Sequence, residues 1–273
     1  MTDPSARPLR VAVAGLGAIG KAVVRHLVAG LPGLVLTAVA GRDRAKTEAS
    51  LRELGADVPI LPLERLAEQA DLVVEALPAA AFDAVARPTL AAGRMLMAVS
   101  AGALLGRDDL IDLARQSGGR IVVPTGALLG LDAVAAAAEG KIHSVRMVTR
   151  KPPKGLAGAP YLVEKGISLD GLNTARKIYE GPAREAVRGF PANVNVAAAL
   201  SLAGIGPDRT TIEIWADPGI DRNRHAIVVD SDSAWFSLEI ANIPSENPKT
   251  GRITAQSVIA ALRRLRAPLR VGT

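Results

Sequence analysis

In the first half of the chain, short unbroken apolar runs alternate with stretches of helical period. Residues 9–14, LRVAVA, are small or β-branched and almost uninterrupted, the pattern of a strand buried on both faces. GLGAIG follows, then KAVVRHLVAG, helical in period and stopped at Gly30, then a second apolar run, LVLTAVAG. Together these predict a βαβ unit. AKTEASLRELG reads as a helix with Gly55 as its stop, and ADLVVEALP as a strand closed by Pro78. AAFDAVARPTLAAG is helical but interrupted by Pro88, RMLMAVS is a strand, RDDLIDLARQSGG a helix and RIVVPTG a strand. Strands alternating with helices predict a parallel, doubly wound sheet.

After about residue 125 the rhythm changes. LGLDAVAAAAEG reads as a helix, KIHSVRMVTRK as a long strand, and KPPKGLAGAP as a Pro/Gly-rich loop. NVNVAAALSLAG is a helix bounded by Pro191 and Gly204. RTTIEIWAD, RHAIVVDS and AWFSLEIANI then follow as three strands with short turns, which implies an antiparallel or mixed sheet. PSENPKTG breaks the pattern, and RITAQSVIAALRRL is a last amphipathic helix. The expected class is α/β: an N-terminal Rossmann-type doubly wound parallel sheet plus a C-terminal α+β domain with a mixed or antiparallel sheet. Residues 1–124 are expected to bind a dinucleotide, and residues 125–248 to serve catalysis, substrate binding and oligomerisation. The last helix, about 249–273, is expected to pack back on the first domain.

Composition narrows the chemistry. The 273 residues are 49% hydrophobic and 22% charged, with only 3% aromatic, so a folded chain rich in small apolar side chains is expected. With no cysteine, disulfides, thiolate nucleophiles and Cys-based metal sites are excluded, and no metal site is expected. The start, MTDPSARPLR, lacks the apolar core of a signal peptide, and no apolar run is long enough for a membrane span, so a cytoplasmic protein is expected. The net charge of +6 fits small anionic ligands as well as nucleic acid. The arginine-rich ALRRLRAPLR lacks interleaved aromatic rings, so it reads as a solvated surface and no nucleic-acid partner is expected.

Gly15, Gly17 and Gly20 form G-x-G-x-x-G between a strand and a helix. The first glycine permits the tight turn, the second lets a diphosphate approach the backbone, and the third lets helix and strand pack closely. The helix N-terminus, with Ala18 and Ile19, offers N–H donors to the anion. The cofactor is therefore expected to be NAD or NADP. After the second strand the chain reads GRDRAK, with Arg42 able to hold a 2′-phosphate and Asp43 a ribose hydroxyl, a pattern leaning to NADP or dual use. Ser100 in SAGAL and Ala127 in PTGAL end later strands and are candidates for the wall against the nicotinamide.

A dehydrogenase needs a group that handles a proton while hydride moves, and histidine suits that task near neutral pH. His26 falls inside the first helix and His143 inside a strand, both read as structural. His225 stands where the DPGIDRNR turn enters a strand and is the candidate acid/base. Arg150, Lys151 and Lys154 of TRKPPKG, read as a loop, and Arg222 and Arg224 beside His225, are candidates for binding carboxylates.

The segments VAGLGAIG, SAGAL, PTGALLGLDAV, VTRKPP, FPANVNVAAALSLAG, ADPGIDRNRHAI and IPSENPKTG resemble the L-aspartate dehydrogenase family over nearly the whole chain. That family is related in build to dihydrodipicolinate reductase and homoserine dehydrogenase. The resemblance implies oxidation of L-aspartate to iminoaspartate with NAD or NADP, the product feeding NAD biosynthesis or hydrolysing to oxaloacetate. It implies that His225 is the acid/base and that Ala127 and an asparagine touch the cofactor. That asparagine is placed at Asn195, with Asn193 the alternative; Asn193 is otherwise assigned, with Arg150, Lys151 and Arg224, to the substrate. A homodimer is expected through the second-domain sheet. The competing readings are another reductase of the related type and a dinucleotide-sensing protein without catalysis. The chain has no His-His pair, and no DNA-binding element is expected before residue 9 or after the last helix.

Overall fold

The computed structural model describes residues 7–191, 195–245 and 251–272. It divides into two compact units, one running to Pro124 and taking in Ala255–Val271, the other built on Thr125–Thr254.

The first unit contains β1 (Leu9–Ala14), α1 (Ala18–Val28), β2 (Leu34–Ala40), α2 (Arg44–Leu54), a short α3 (Leu66–Gln69) and β3 (Leu72–Glu75). It continues with α4 (Phe82–Ala91), β4 (Met95–Ala98), α5 (Asp108–Ser117) and β5 (Arg120–Val122). The sheet order is β2-β1-β3-β4-β5 and every pairing is parallel. The winding reverses between β1 and β3, which opens a crevice at the carboxyl ends of those strands. β1 is buried on both faces because its side chains alternate between two cores. Val11 and Val13 pack with Val23, Val24 and Leu27 of α1. Ala12 and Ala14 pack with Phe82, Val85 and Leu90 of α4. The small residues on this second side let α4 come close to the sheet. α4 continues through Pro88 rather than breaking there, at the cost of one backbone hydrogen bond.

The second unit contains α6 (Leu131–Ala138), β6 (Ile142–Lys151), α7 (Pro153–Leu156), α8 (Pro160–Glu164), β7 (Arg176–Pro182) and α9 (Ala183–Gly189). It ends with α10 (Asn195–Ala203), β8 (Thr210–Ala216), β9 (Asn223–Ser231) and β10 (Trp235–Asn242). Its sheet order is β10-β9-β6-β8-β7, with β6 and β8 parallel and the other pairs antiparallel. One face packs on the helices through Val145, Met147, Ile212, Ile214, Ile227 and Val229, joined by Val134, Leu156, Phe190 and Leu200. The opposite face, with Arg146, Arg150, Trp215 and Arg224, stays at least partly exposed. The Pro/Gly-rich stretch expected to be a loop holds α7 and ends on the first residue of α8, and each helix starts with a proline in its first turn, where a missing N–H costs nothing. β7 and α9 have no counterpart in the periodicity reading. β7 is a sheet edge with an irregular register between Lys177 and Tyr179, and it ends in Gly181 and Pro182.

α11 (Arg252–Arg266) follows, and Val258, Ile259 and Leu262 complete the Val11/Val13 side of the first core. Among the described residues no helix is long and apolar enough to cross a membrane.

Candidate active site

The glycine turn between β1 and α1 has the shape of an anion cradle. Gly15 adopts φ +93, and a Cβ there would stand 2.5 Å from the Ala76 carbonyl oxygen. A Cβ on Gly20 would stand 1.8 Å from the Gly15 carbonyl oxygen, so only glycine lets α1 pack this closely. A Cβ on Gly17 would meet nothing within 4 Å, so the space above it is open. Gly17 also caps α1 without a side-chain hydrogen bond, which leaves the first-turn N–H groups, including those of Ala18 and Ile19, facing that space. Cradle and open space fit a diphosphate.

A cavity of about 520 Å³ adjoins the turn, lined by Leu16, Gly41, Arg42, Asp43, Lys46 and Thr47 among others. β2 ends at Ala40, and the next position cannot carry a carboxylate: a Cβ on Gly41 would lie 2.2 Å from Thr47 Oγ1. Asp43 Oδ1 accepts the Lys46 N–H at 3.0 Å and so caps α2. The exposed cations at this lip are Arg42 and Lys46, the latter 3.9 Å from Asp43 Oδ2.

At the carboxyl ends of β3 and β4, Glu75 is fully buried and clips two loops together. It accepts the N–H groups of Leu77 (2.8 Å) and Ser100 (3.0 Å) and the Ser100 hydroxyl (3.0 Å). Burial raises the Glu75 pKa although these hydrogen bonds oppose it. Ser100, expected only as a wall, is a structural partner whose Oγ also reaches the Leu77 carbonyl at 2.8 Å.

The second unit gathers a buried polar cluster at one end of its sheet. His225 is the third residue of β9, 2% exposed, rather than lying on the turn before it. Thr149 and Ile240 are its cross-strand neighbours. Thr149 Oγ1 lies 3.1 Å from His225 Nδ1, and among the described residues no hydrogen bond reaches Nε2. Burial, and then the charge of Lys151, push the His225 pKa down to about 3. Lys151, 3% exposed, follows Thr149 on the same face of β6, and buried Asn223 precedes His225 on the same face of β9. Gly155 of α7 lies at this corner, where a Cβ would make only ordinary contact, 3.8 Å from Lys151 Cβ and 3.9 Å from Asn223 Oδ1. Asn242, paired with Asn223, donates from Nδ2 to the Ala127 carbonyl at 2.9 Å and fixes the TGA loop, while its own buried Oδ1 has no hydrogen-bond partner among the described residues.

The structure thus brings His225 and Lys151 together and sets Arg150 and Arg224 apart from them. Side chains alternate along a strand, so Arg150 and Arg224, register partners of each other, lie on the opposite, more exposed face. There Arg150 stacks on Trp215 at 4.6 Å and pairs with Asp217 at 3.4 Å. Arg224 is exposed, Arg222 pairs with Asp221 at 2.9 Å, and Lys154 is exposed on α7. Asn195 begins α10 with an exposed side chain, and Asn193 lies outside the described residues. His26 bonds the Ala22 carbonyl within α1, and His143 is exposed on β6. Sequence reasoning missed Thr149, Asn223, Asn242 and Glu75. Strand parity was the available signal for the first three, because each falls on the buried alternation. Among the described residues no group of three or more His, Asp or Glu is placed to hold a metal.

Comparison with known proteins gives two family models, "Aspartate dehydrogenase, C-terminal" over residues 132–265 and "Homoserine dehydrogenase, NAD binding domain" over residues 15–124. An L-aspartate dehydrogenase of Bradyrhizobium diazoefficiens is 57% identical over 100% of this chain and 98% of its own length. L-aspartate dehydrogenase 3 of Bordetella bronchiseptica is 56% identical over 98% of this chain and 99% of its own. The crystal structure of aspartate dehydrogenase from Thermotoga maritima matches with a TM-score of 0.73 at 25% identity, covering 97% of this chain and 99% of that one.

Proposed function

Given that the chain belongs to the L-aspartate dehydrogenase family, we propose that it oxidises L-aspartate to iminoaspartate, with His225 as the acid/base. It is an oxidoreductase that acts on a CH–NH2 group with NAD or NADP. The observation that carries the assignment to His225 is its environment: a buried ring beside Lys151, held at Nδ1 and, among the described residues, without a hydrogen bond at Nε2.

When bound, the dinucleotide supplies the hydride acceptor. The glycine turn holds its diphosphate, with Gly15, Gly17 and Gly20 making room and the N–H groups of Ala18 and Ile19 donating. Ser100, Ala127 and Asn195 belong to the same binding role, with Ser100 held by Glu75 and the Ala127 loop by Asn242. Arg42 and Lys46 favour a 2′-phosphate over a bare ribose, so NADP is the preferred partner and NAD is accepted. Lys151 attracts a substrate carboxylate, and its charge adds to burial in keeping the neighbouring ring neutral. Neutral His225 takes the proton of the substrate ammonium, and the amine lone pair then assists departure of hydride from Cα. Arg150 and Arg224 have no part in this step, being on the other face of the sheet. That face, with Trp235 exposed at the start of β10, is proposed to meet a second copy of the chain. The protein is proposed to act in the cytoplasm and to feed NAD biosynthesis.

The test is the near-ultraviolet absorbance of the reduced nicotinamide, followed with a panel of amino acids and both cofactors. Reduction with aspartate alone, and faster with NADP than NAD at low cofactor concentration, is the expected result. His225→Ala is expected to lower kcat by about 100-fold or more while nucleotide affinity survives. A variant with near-normal kcat removes His225 from the chemistry.

A further inference from the structure

We propose that Thr149 is a positioning residue for this reaction: its hydroxyl accepts the Nδ1–H of His225 through the whole proton cycle and leaves Nε2 as the reacting nitrogen. The inference rests on the acid/base reading of His225.

Thr149 stands on β6 directly opposite His225 on β9, and its Oγ1 lies 3.1 Å from Nδ1. The residues preceding it on the same face of β6 are Val145 and Met147, both in the core. Packing alone would be met by valine, which has the same shape and no polar atom. A hydroxyl that is 1% exposed is costly to bury unless it is bonded, and His225 is its partner. The ring in turn has one protein partner for Nδ1 and, among the described residues, none for Nε2.

A hydroxyl oxygen suits a base that must gain and lose a proton. In the neutral ring with hydrogen on Nδ1, the oxygen accepts that N–H and Nε2 carries the lone pair. When Nε2 takes a proton from the substrate ammonium, Nδ1 keeps its hydrogen and the same bond persists. The ammonium nitrogen regains an electron pair, which becomes the C=N bond as hydride leaves Cα for the nicotinamide, giving the iminium; the imidazolium later returns its proton to solvent. A carboxylate in place of Thr149 would also orient the ring, but its charge would raise the ring's pKa and hold it as the imidazolium, already protonated, over more of the pH range. The neutral hydroxyl fixes orientation and tautomer without adding charge, in keeping with a ring that Lys151 and burial already hold neutral.

The experiment pairs kinetics with nitrogen NMR of ring-labelled histidine. The chain has three histidines, so replacing His26 and His143 in turn assigns the His225 signals. The wild-type neutral ring is expected to carry its hydrogen on Nδ1. Thr149→Val is expected to lower kcat by about 10- to 100-fold, with the aspartate KM and the calorimetric Kd for nucleotide changed less than about threefold. Thr149→Ser, which keeps the hydroxyl, is expected to recover most of that loss. A neutral ring protonated on Nε2, wild-type kcat in the valine variant, or a serine variant as slow as the valine variant each overturns the proposal. Loss of turnover in His225→Ala with full turnover in Thr149→Val leaves the acid/base reading standing and removes Thr149 from it. Full turnover in His225→Ala removes both.

Discussion

His225 links catalysis to stability through one ionisation. Its ordinary value is about 6.5, and in the fold burial and then Lys151 push it down to about 3. Between those values the unfolded chain binds a proton that the folded chain refuses. The refusal destabilises the fold, absent well above pH ~6.5 and growing as pH falls toward ~3. His225→Asn, which cannot take up that proton, is expected to be less sensitive to acid. Between pH ~7.5 and ~5.5 the wild type should lose about 1 kcal/mol more unfolding free energy than the variant. Urea unfolding at the two pH values measures this, and equal losses would show that the ring titrates normally in the fold.

Among elements, β1 and β3 are tied at their amino ends by one carboxylate, opposite the end that carries the cradle. Asp71 immediately precedes β3, and its oxygens lie 2.9 Å from Arg10 Nη2, 3.0 Å from Arg7 Nη2 and 3.6 Å from Arg94 Nη1. The Arg10 side-chain bond is the main reason the Asp71 pKa falls to about 2. Asp71 side-chain exposure is only 13%, so solvent screening is limited. Asp71→Asn is expected to cost about 1–2 kcal/mol at neutral pH. That difference should fade as pH falls from ~4, where the unfolded carboxylate protonates, toward ~2, where the folded one does. Denaturant unfolding across that range checks it. Legibility from sequence followed the same logic of pattern. β1, the glycine turn and α1 could be read because a doubly buried strand is a continuous run and the turn needs glycine at fixed places. β7 could not, because an edge strand with a shifted register shows no clean alternation. Parity in VTRK and NRH already separated Lys151 and His225 from Arg150 and Arg224, since neighbours on a strand face opposite ways. How deeply His225 is buried depends on the helices that cover its face, and a strand's own pattern does not report that.

For the whole molecule, the first unit is discontinuous in sequence: the chain leaves it after Pro124 and returns at Ala255. Leu262, fully buried, packs with Val11, Val13 and Val24, so the far end of the chain stabilises the sheet that carries the cradle. Leu262→Ala is expected to cost about 2–5 kcal/mol. Each unit has a core of its own, which favours separate unfolding. The two units can be followed apart, because both tryptophans, Trp215 and Trp235, belong to the second. In the variant, helical circular dichroism should begin to fall at lower denaturant while the tryptophan emission transition stays in place. Nucleotide at about a hundredfold over its Kd should return about 2.7 kcal/mol to the early transition, because the diphosphate cradle belongs to the first unit. Tryptophan and dichroism curves that shift together by the same amount would show instead that the two units unfold as one.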